Sequence, residues 1–261
     1  MGSLFKILST DFDGTLHADH ENPPVAENLQ AMISRLQKHG VKWVINTGRD
    51  LSSLMEALAR ARLSIMPDYV VAVEREIYSH SGSRFIASEQ WNQACTLAHQ
   101  ELFETIQPDL PRLIEWINAH YSATIYEDVY SPFCLIAGDN RDADAIIEYL
   151  NAYSQEVPKL SIVRNDVYAR FSHIAYNKGT ALAEIARHLM VSPDYIVAAG
   201  DHFNDLPMLS IDYARWLIAP SNAIGPVKEA VQRQNGYVSQ QPWGHGVAQG
   251  LEHFIQAGKN L

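Results

Sequence analysis

Two carboxylates one residue apart, Asp11 and Asp13, end a short apolar run in the stretch FKILSTDFDGTLHADH. Like charges this close repel each other, and a strand end that merely turns has little use for both. A carboxylate beside a divalent cation can attack phosphorus and carry the phosphoryl group as an aspartyl-phosphate. A second carboxylate two residues on is within reach to protonate the leaving oxygen and then to deprotonate water. That second task needs a proton shared at working pH, which the neighbouring charge on Asp11 would promote. Gly14 lets the chain turn back with backbone N–H groups facing an anion.

Other apolar runs deliver further polar residues. VKWVINTGR ends in Thr47, Gly48 and Arg49, and YIVAAGD ends in Gly200 and Asp201, with Asn204 and Asp205 shortly beyond. Lys178 opens the helical segment before that later run. Asp11, Asp201 and Asp205 brought together would repel strongly unless a cation sat between them. Hard carboxylate oxygens with no histidine or cysteine cluster nearby suit Mg²⁺, which is commonly shared with phosphate. The Thr47 hydroxyl and the Lys178 ammonium would hold other phosphate oxygens and offset charge growing in the transition state. Gly48, on the same loop as Thr47, is counted among the phosphate contacts.

The elements that must position these residues alternate. Strand-like LFKIL, VKWVINTGR and DYVVAV are separated by PVAENLQAMISRLQKHG and DLSSLMEALARAR, whose apolar residues recur at helical spacing. Such alternation predicts an α/β fold with a doubly wound, Rossmann-like parallel sheet, with sites at the carboxyl ends of the strands. Between about residues 81 and 173 the rhythm changes to two helices, strand-like ATIYEDVY and FCLIAG, a helix DADAIIEYLNAYS and strand-like LSIVRNDVYARF. From Asn177 the first rhythm returns, with a helix over NDLPMLS among the later elements. The expected organisation is a core of residues 1–80 and 174–261 interrupted by an α+β cap of residues 81–173, with hinges near Ser81–Ser83 and Phe171–Ala175.

The chain has 261 residues, of which 47% are hydrophobic and 19% charged, enough for a sizeable core. Twenty basic against thirty acidic residues give a net charge of −10, which argues against nucleic acid as a partner. No apolar stretch approaches the ~18 residues of a membrane helix. Cys95 and Cys134 form no spaced motif and read as buried thiols in a reducing compartment. The first residues run straight into a strand rather than a basic and apolar leader, so the cytoplasm is the expected location.

DFDGTL, NTGR, NKGTAL and GDHFNDLPML, in this order, resemble the four motifs of the haloacid dehalogenase superfamily of phosphohydrolases. The insertion between the second and third is similar to the cap of its Cof-type branch, which includes sugar-phosphate phosphatases. PDYVVAVEREIYSHSG followed by WNQA is further similar to sucrose-phosphate phosphatases. The resemblance implies Asp11 as nucleophile, Asp13 as general acid and base, and Thr47 and Lys178 on the phosphate with Asn204 as a helper. It implies Mg²⁺ held by Asp11, the Asp13 carbonyl oxygen and Asp201, with Asp205 either a ligand through water or a partner orienting Lys178. Glu74 and Arg75 depart from the small Gly-Thr pair usual before EIY in the sucrose-phosphate group.

Arg49 and Arg75, with Arg164 and Arg170 in the cap, are candidates to meet the rest of the substrate. The leading expectation is an Mg²⁺-dependent phosphatase for a small phosphorylated metabolite, a sugar phosphate first, acting as a monomer or weak homo-oligomer. A phosphomutase or phosphotransferase on the same core differs only in the acceptor. A phospho-Asp switch without turnover groups the same residue types, but needs neither Asp13 nor a long cap. A nicotinamide enzyme is disfavoured, because no G-x-G-x-x-G follows the first strand.

Overall fold

The computed structural model describes residues 4–258, and the chain divides into two compact units, residues 1–89 with 178–261 and residues 90–177. In the first unit β1 (Ile7–Thr10), α1 (Glu27–Lys38), β2 (Lys42–Asn46), α2 (Leu51–Ala61) and β3 (Tyr69–Ala72) alternate as expected. β4 (Glu76–Ser81) and β5 (Arg84–Ala87) then add an antiparallel hairpin to the same sheet. The division therefore falls at residue 89 rather than 80, and Ser81–Ser83 lies in the hairpin turn, where Gly82 has a φ of 66°, rather than at a hinge.

The second unit holds α3 (Glu89–Ile106) from its second residue, α4 (Leu110–His120), β6 (Ala123–Tyr126), β7 (Cys134–Ala137), α5 (Asn140–Glu156), β8 (Leu160–Asn165) and β9 (Tyr168–His173). Its four strands form an antiparallel sheet in the order β6-β7-β9-β8 over a core that includes Leu113, Ile117, Phe133, Ile146 and Phe171. LSIVRNDVYARF, expected as one strand, is a hairpin: Asp166 takes a φ of 53°, a conformation that Asp tolerates better than most residues.

The first unit resumes with α6 (Lys178–Leu189), β10 (Ile196–Ala199), β11 (Trp216–Ala219), α7 (Gly225–Arg233), β12 (Tyr237–Val238) and α8 (Trp243–Gly258). NDLPMLS, expected as a helix, is a 3₁₀ turn at Phe203–Asp205 followed by turns. Pro207 has no N–H for a continuing helix.

The eight strands run β12-β11-β10-β1-β2-β3-β4-β5, parallel from β12 to β3. Every residue of β1 and β10 is buried, as a central parallel strand covered on both faces requires. α1 buries Leu29, Met32, Ile33 and Leu36, which share the apolar core with Trp43, Ile45, Leu54 and Leu58. Each such side chain contributes about 1.5–3 kcal/mol by leaving water. The chain winds outward from β1 through β2 and β3, then returns to place β10 on the other side of β1. The switch in strand order thus lies between β1 and β10, and their carboxyl ends are where such sheets build sites. No helix of the described residues is long and apolar enough to cross a membrane.

Candidate active site

At the carboxyl end of β1 the Asp11 N–H donates to the carbonyl of Ala199 (2.9 Å), so Asp11 starts in register with the end of β10. The chain then turns at Gly14, whose φ is 77° and where a Cβ would lie 2.6 Å from Oδ2 of Asp201. Glycine is needed here both for the turn and for the close approach of the acid. The Thr15 hydroxyl donates to Oδ1 of Asp201 (2.5 Å), and Asn222 Nδ2 donates to the Gly14 carbonyl (2.8 Å).

Lys178 stands at the centre. Asn46 Nδ2 donates to its carbonyl (2.9 Å), which fixes the start of α6 beside β2. Its ammonium, fully buried, donates to Oδ1 of Asp11 and to Oδ1 of Asp205, each at 2.6 Å. The other oxygen of Asp205 accepts from the N–H groups of Asp201 (2.8 Å) and His202 (3.0 Å). Both Asp205 oxygens thus have hydrogen-bond partners, one of them Lys178.

Charge is concentrated in this cluster. Burial, then the charges of Asp205 and Asp201, raise Asp11 well above the usual carboxylate range against the pull of Lys178. Burial and Asp205 push Asp201 up to about 7, opposed by the Thr15 hydrogen bond and Lys178. Burial works against the Lys178 charge, yet Asp11, Asp205 and Glu74 outweigh it and hold the ammonium well above the ordinary amine range. One oxygen from each of Asp11, Asp201 and Asp205 lies within 4.8 Å of the others. A buried set of hard oxygens in mutual repulsion fits Mg²⁺.

Asp13 has a charged partner that the sequence reading does not assign to it. Arg49 Nε and Nη2 donate to its two oxygens, each at 2.7 Å, so the guanidinium is the charged group against it. Arg49, expected toward substrate, is thereby a partner of Asp13, and its Nη1 also donates to Ser53 Oγ (3.3 Å). Thr47 is buried, and its hydroxyl accepts from the Arg49 N–H (3.1 Å), while Gly48 is exposed. Arg75 is 5% exposed in the β3–β4 turn. Asn204 is buried and donates through Nδ2 to Oε1 of Glu74 (2.8 Å).

Arg164 and Arg170 belong to the second unit. Arg164 donates to Asp144 (2.5 Å), Asn140 (3.2 Å) and the Asp166 carbonyl (2.9 Å), which ties β8 to the start of α5. Arg170 is buried on β9, paired in register with Cys134. Thr15 and Asn222 are site residues that the sequence reading does not single out. Thr15 is flagged only by its place after Gly14, and nothing local marks Asn222.

A family profile described as haloacid dehalogenase-like hydrolase matches residues 114–251, more than half of the chain. The chain belongs to the haloacid dehalogenase-like hydrolases. A second profile of this hydrolase, described as sucrose-6F-phosphate phosphohydrolase, matches residues 4–117. Among curated relatives, the 5-amino-6-(5-phospho-D-ribitylamino)uracil phosphatase YcsE of Bacillus subtilis (strain 168) is 23% identical, covering 96% of each chain. Among solved structures, the sucrose-phosphatase of Synechocystis sp. PCC6803, in complex with sucrose and phosphate, superposes with a TM-score of 0.73 at 18% identity. That match covers 98% of this hydrolase and 99% of the other chain. BT1666 of Bacteroides thetaiotaomicron, from a study of phosphatases of the haloalkanoate enzyme superfamily, superposes with a TM-score of 0.62 at 22% identity over 96% and 95% of the two chains. At these identities the structural likeness is one of fold.

Proposed function

We propose that this phosphatase of the haloacid dehalogenase-like hydrolases depends on Mg²⁺ and releases phosphate from a small phosphorylated metabolite, a sugar phosphate first, through an aspartyl-phosphate on Asp11. The observation that carries the reading is the buried Lys178 ammonium set 2.6 Å from both Asp11 and Asp205, at the strand-order switch and beside Asp201.

Asp11 and Asp201, with the Asp13 carbonyl oxygen, would hold the metal. When bound, Mg²⁺ supplies polarisation of the phosphoryl oxygens and neutralises part of the acid cluster. A carboxylate oxygen of Asp11 attacks phosphorus, a new P–O bond forms, and the bond to the leaving oxygen breaks. Lys178, kept charged by its carboxylate neighbours, and the Thr47 hydroxyl hold the transferring group. Asp13 gives its proton to the leaving alkoxide, then takes one from the water that attacks the aspartyl-phosphate, returning Asp11 and free phosphate. Protonation lowers the charge on the Asp13 oxygens without removing their lone pairs, so the fork to Arg49 weakens whenever Asp13 carries the proton.

The likenesses to a sucrose-phosphate profile and to a sucrose-phosphatase structure support a sugar phosphate as substrate. Cys95 and Cys134 are buried and form no disulfide, in keeping with a reducing compartment such as the cytoplasm. The test is phosphate release from a panel of phosphomonoesters with Mg²⁺ and with chelator, for wild type and Asp11→Asn. Metal-dependent release that is lost in the variant is expected. Equal release by Asp11→Asn would refute the role of Asp11, and release indifferent to chelator would refute the metal.

A further inference from the structure

Glu74 stands at a costly position. It is 5% exposed and follows Val73 in the β3–β4 turn, with φ of 67° and 45° at the two residues. Left-handed backbone at residues other than glycine costs about 1–3 kcal/mol each, and a carboxylate withdrawn from water adds to that. A glycine at 74 would relieve both of that residue's costs. The turn is nonetheless clamped onto the loop that carries Thr47: the Val73 N–H donates to the Arg49 carbonyl and the Glu74 N–H to the Thr47 carbonyl, each at 2.9 Å. A Cβ on Gly48 would lie 3.4 Å from Oε1 of Glu74. The carboxylate is thus seated between the Thr47–Arg49 loop and the turn that follows β10.

There Oε1 accepts the Nδ2 hydrogen bond of Asn204 at 2.8 Å. Asn204 is itself buried, and its Oδ1 has no hydrogen-bond partner among the described residues. Nothing else found on the amide distinguishes its two ends, so the bond to Glu74 decides which way it faces. The flipped amide would set Oδ1 against Oε1, and would present a carbonyl oxygen where Nδ2 now stands. An acceptor there would repel a phosphate oxygen, whereas Nδ2 keeps a second hydrogen to donate. Glu74 also lies near enough to Lys178 for its charge to favour the ammonium.

We propose that Glu74 is a positioning residue of the phosphate site, locking the Asn204 amide so that its remaining N–H is kept for a phosphoryl oxygen of the substrate. The proposal rests on the phosphatase reading above, and it gives a task to a glutamate that is buried in a left-handed turn.

The experiment compares wild type with Glu74→Gln, Glu74→Ala, Glu74→Gly, Asn204→Ala and the Glu74→Ala/Asn204→Ala pair, all with Mg²⁺. The readouts are KM and kcat on the best phosphomonoester of the panel, inhibition by inorganic phosphate, and the thermal midpoint. Glu74→Ala is expected to raise KM and the inhibition constant for phosphate about tenfold, as loss of one charge-assisted hydrogen bond implies, with kcat changed less than about threefold. Glu74→Gln, which keeps an acceptor, should recover most of the loss, and the pair should be no worse than Asn204→Ala. Glu74→Gly should share the loss of affinity while melting no lower than wild type. Wild-type KM and phosphate inhibition in Glu74→Ala and Glu74→Gly, or losses that multiply in the pair, would overturn the inference and leave the phosphatase reading intact. A wild type that releases phosphate from no ester would overturn both.

Discussion

Replacing Lys178 by methionine tests the centre of the site. The ammonium lies 2.6 Å from an oxygen of Asp11 and of Asp205, and the side chain is fully buried. At an effective dielectric of about 20, each contact is about 6 kcal/mol of Coulomb attraction, largely offset by the desolvation of three charges. Removing one partner of a buried pair leaves the others uncompensated, at a cost of about 3–5 kcal/mol. Lys178→Met should therefore lose about 3–5 kcal/mol in chelator-containing buffer. At ~2–4 °C per kcal/mol for a domain of this order, the midpoint should fall by roughly 6–20 °C. Urea and thermal unfolding, followed by far-ultraviolet circular dichroism, measure it. The decisive comparison is Lys178→Met/Asp205→Asn. Asparagine at 205 retains an acceptor for the N–H groups of Asp201 and His202, removes one stranded charge, and should recover about 2 kcal/mol. A Lys178→Met loss below ~1 kcal/mol would refute the reasoning, as would an Asp205→Asn change that harms the lysine-free protein as much as the wild type.

Arg49→Ala removes the fork on Asp13; with side chains 31% and 40% exposed it should cost no more than about 1 kcal/mol of stability. It should nevertheless lower kcat at least tenfold, because a positioned acid–base group is worth about 10²–10⁴ in rate; unchanged kcat would refute the pairing's role. Gly14→Ala puts a Cβ 2.6 Å from Asp201 at a φ of 77°. It should lose at least ~1–2 kcal/mol and blunt the rise of the thermal midpoint with added Mg²⁺; a wild-type Mg²⁺ response would count against the cluster. Burial, and then Lys159, lower His173 below its ordinary value, against a small opposing effect of Glu101. The unfolded chain then binds more protons just below the ordinary histidine value, so stability should fall as pH drops from about 6.5 through the folded value. His173→Asn should flatten that acid limb of the urea midpoint, and an unchanged limb would refute it.

The chemistry was legible because its residue types are punctuated by strand ends: Asp11, Thr47 and Asp201 each follow an apolar run, and a parallel sheet gathers such ends on one side. Pairings across the fold were not legible. Arg49 could be placed beside Thr47 from sequence, but its fork on Asp13 depends on the height at which β1 and β2 pair. The bond between Glu74 and Asn204 joins residues 130 apart in the chain. The β4–β5 hairpin escaped because EIYSHS mixes polar residues through its alternation and RFIA is short and mostly exposed. The β8–β9 turn is carried by one Asp in a left-handed conformation, a weaker signal than Asn-Gly.

The order in which the core sheet is assembled has a consequence for biosynthesis. β1 pairs with β2 and with β10, Ile7 lying beside Lys42 on one side and Ile196 on the other. At about 5–20 residues per second, roughly 10–40 seconds of translation separate the emergence of Ile7 from that of Ile196. Throughout that interval β1, buried along its whole length in the finished fold, has one edge of unpaired N–H and C=O groups. The nascent chain thus displays a hydrophobic template for strand pairing until β10 arrives, and the late closure that brings Asp201 and Asp205 to Asp11 also covers that edge of β1. Chaperone capture of stalled nascent chains should fall once β10 clears the ribosome and covers β1, and fall again once β11 covers β10.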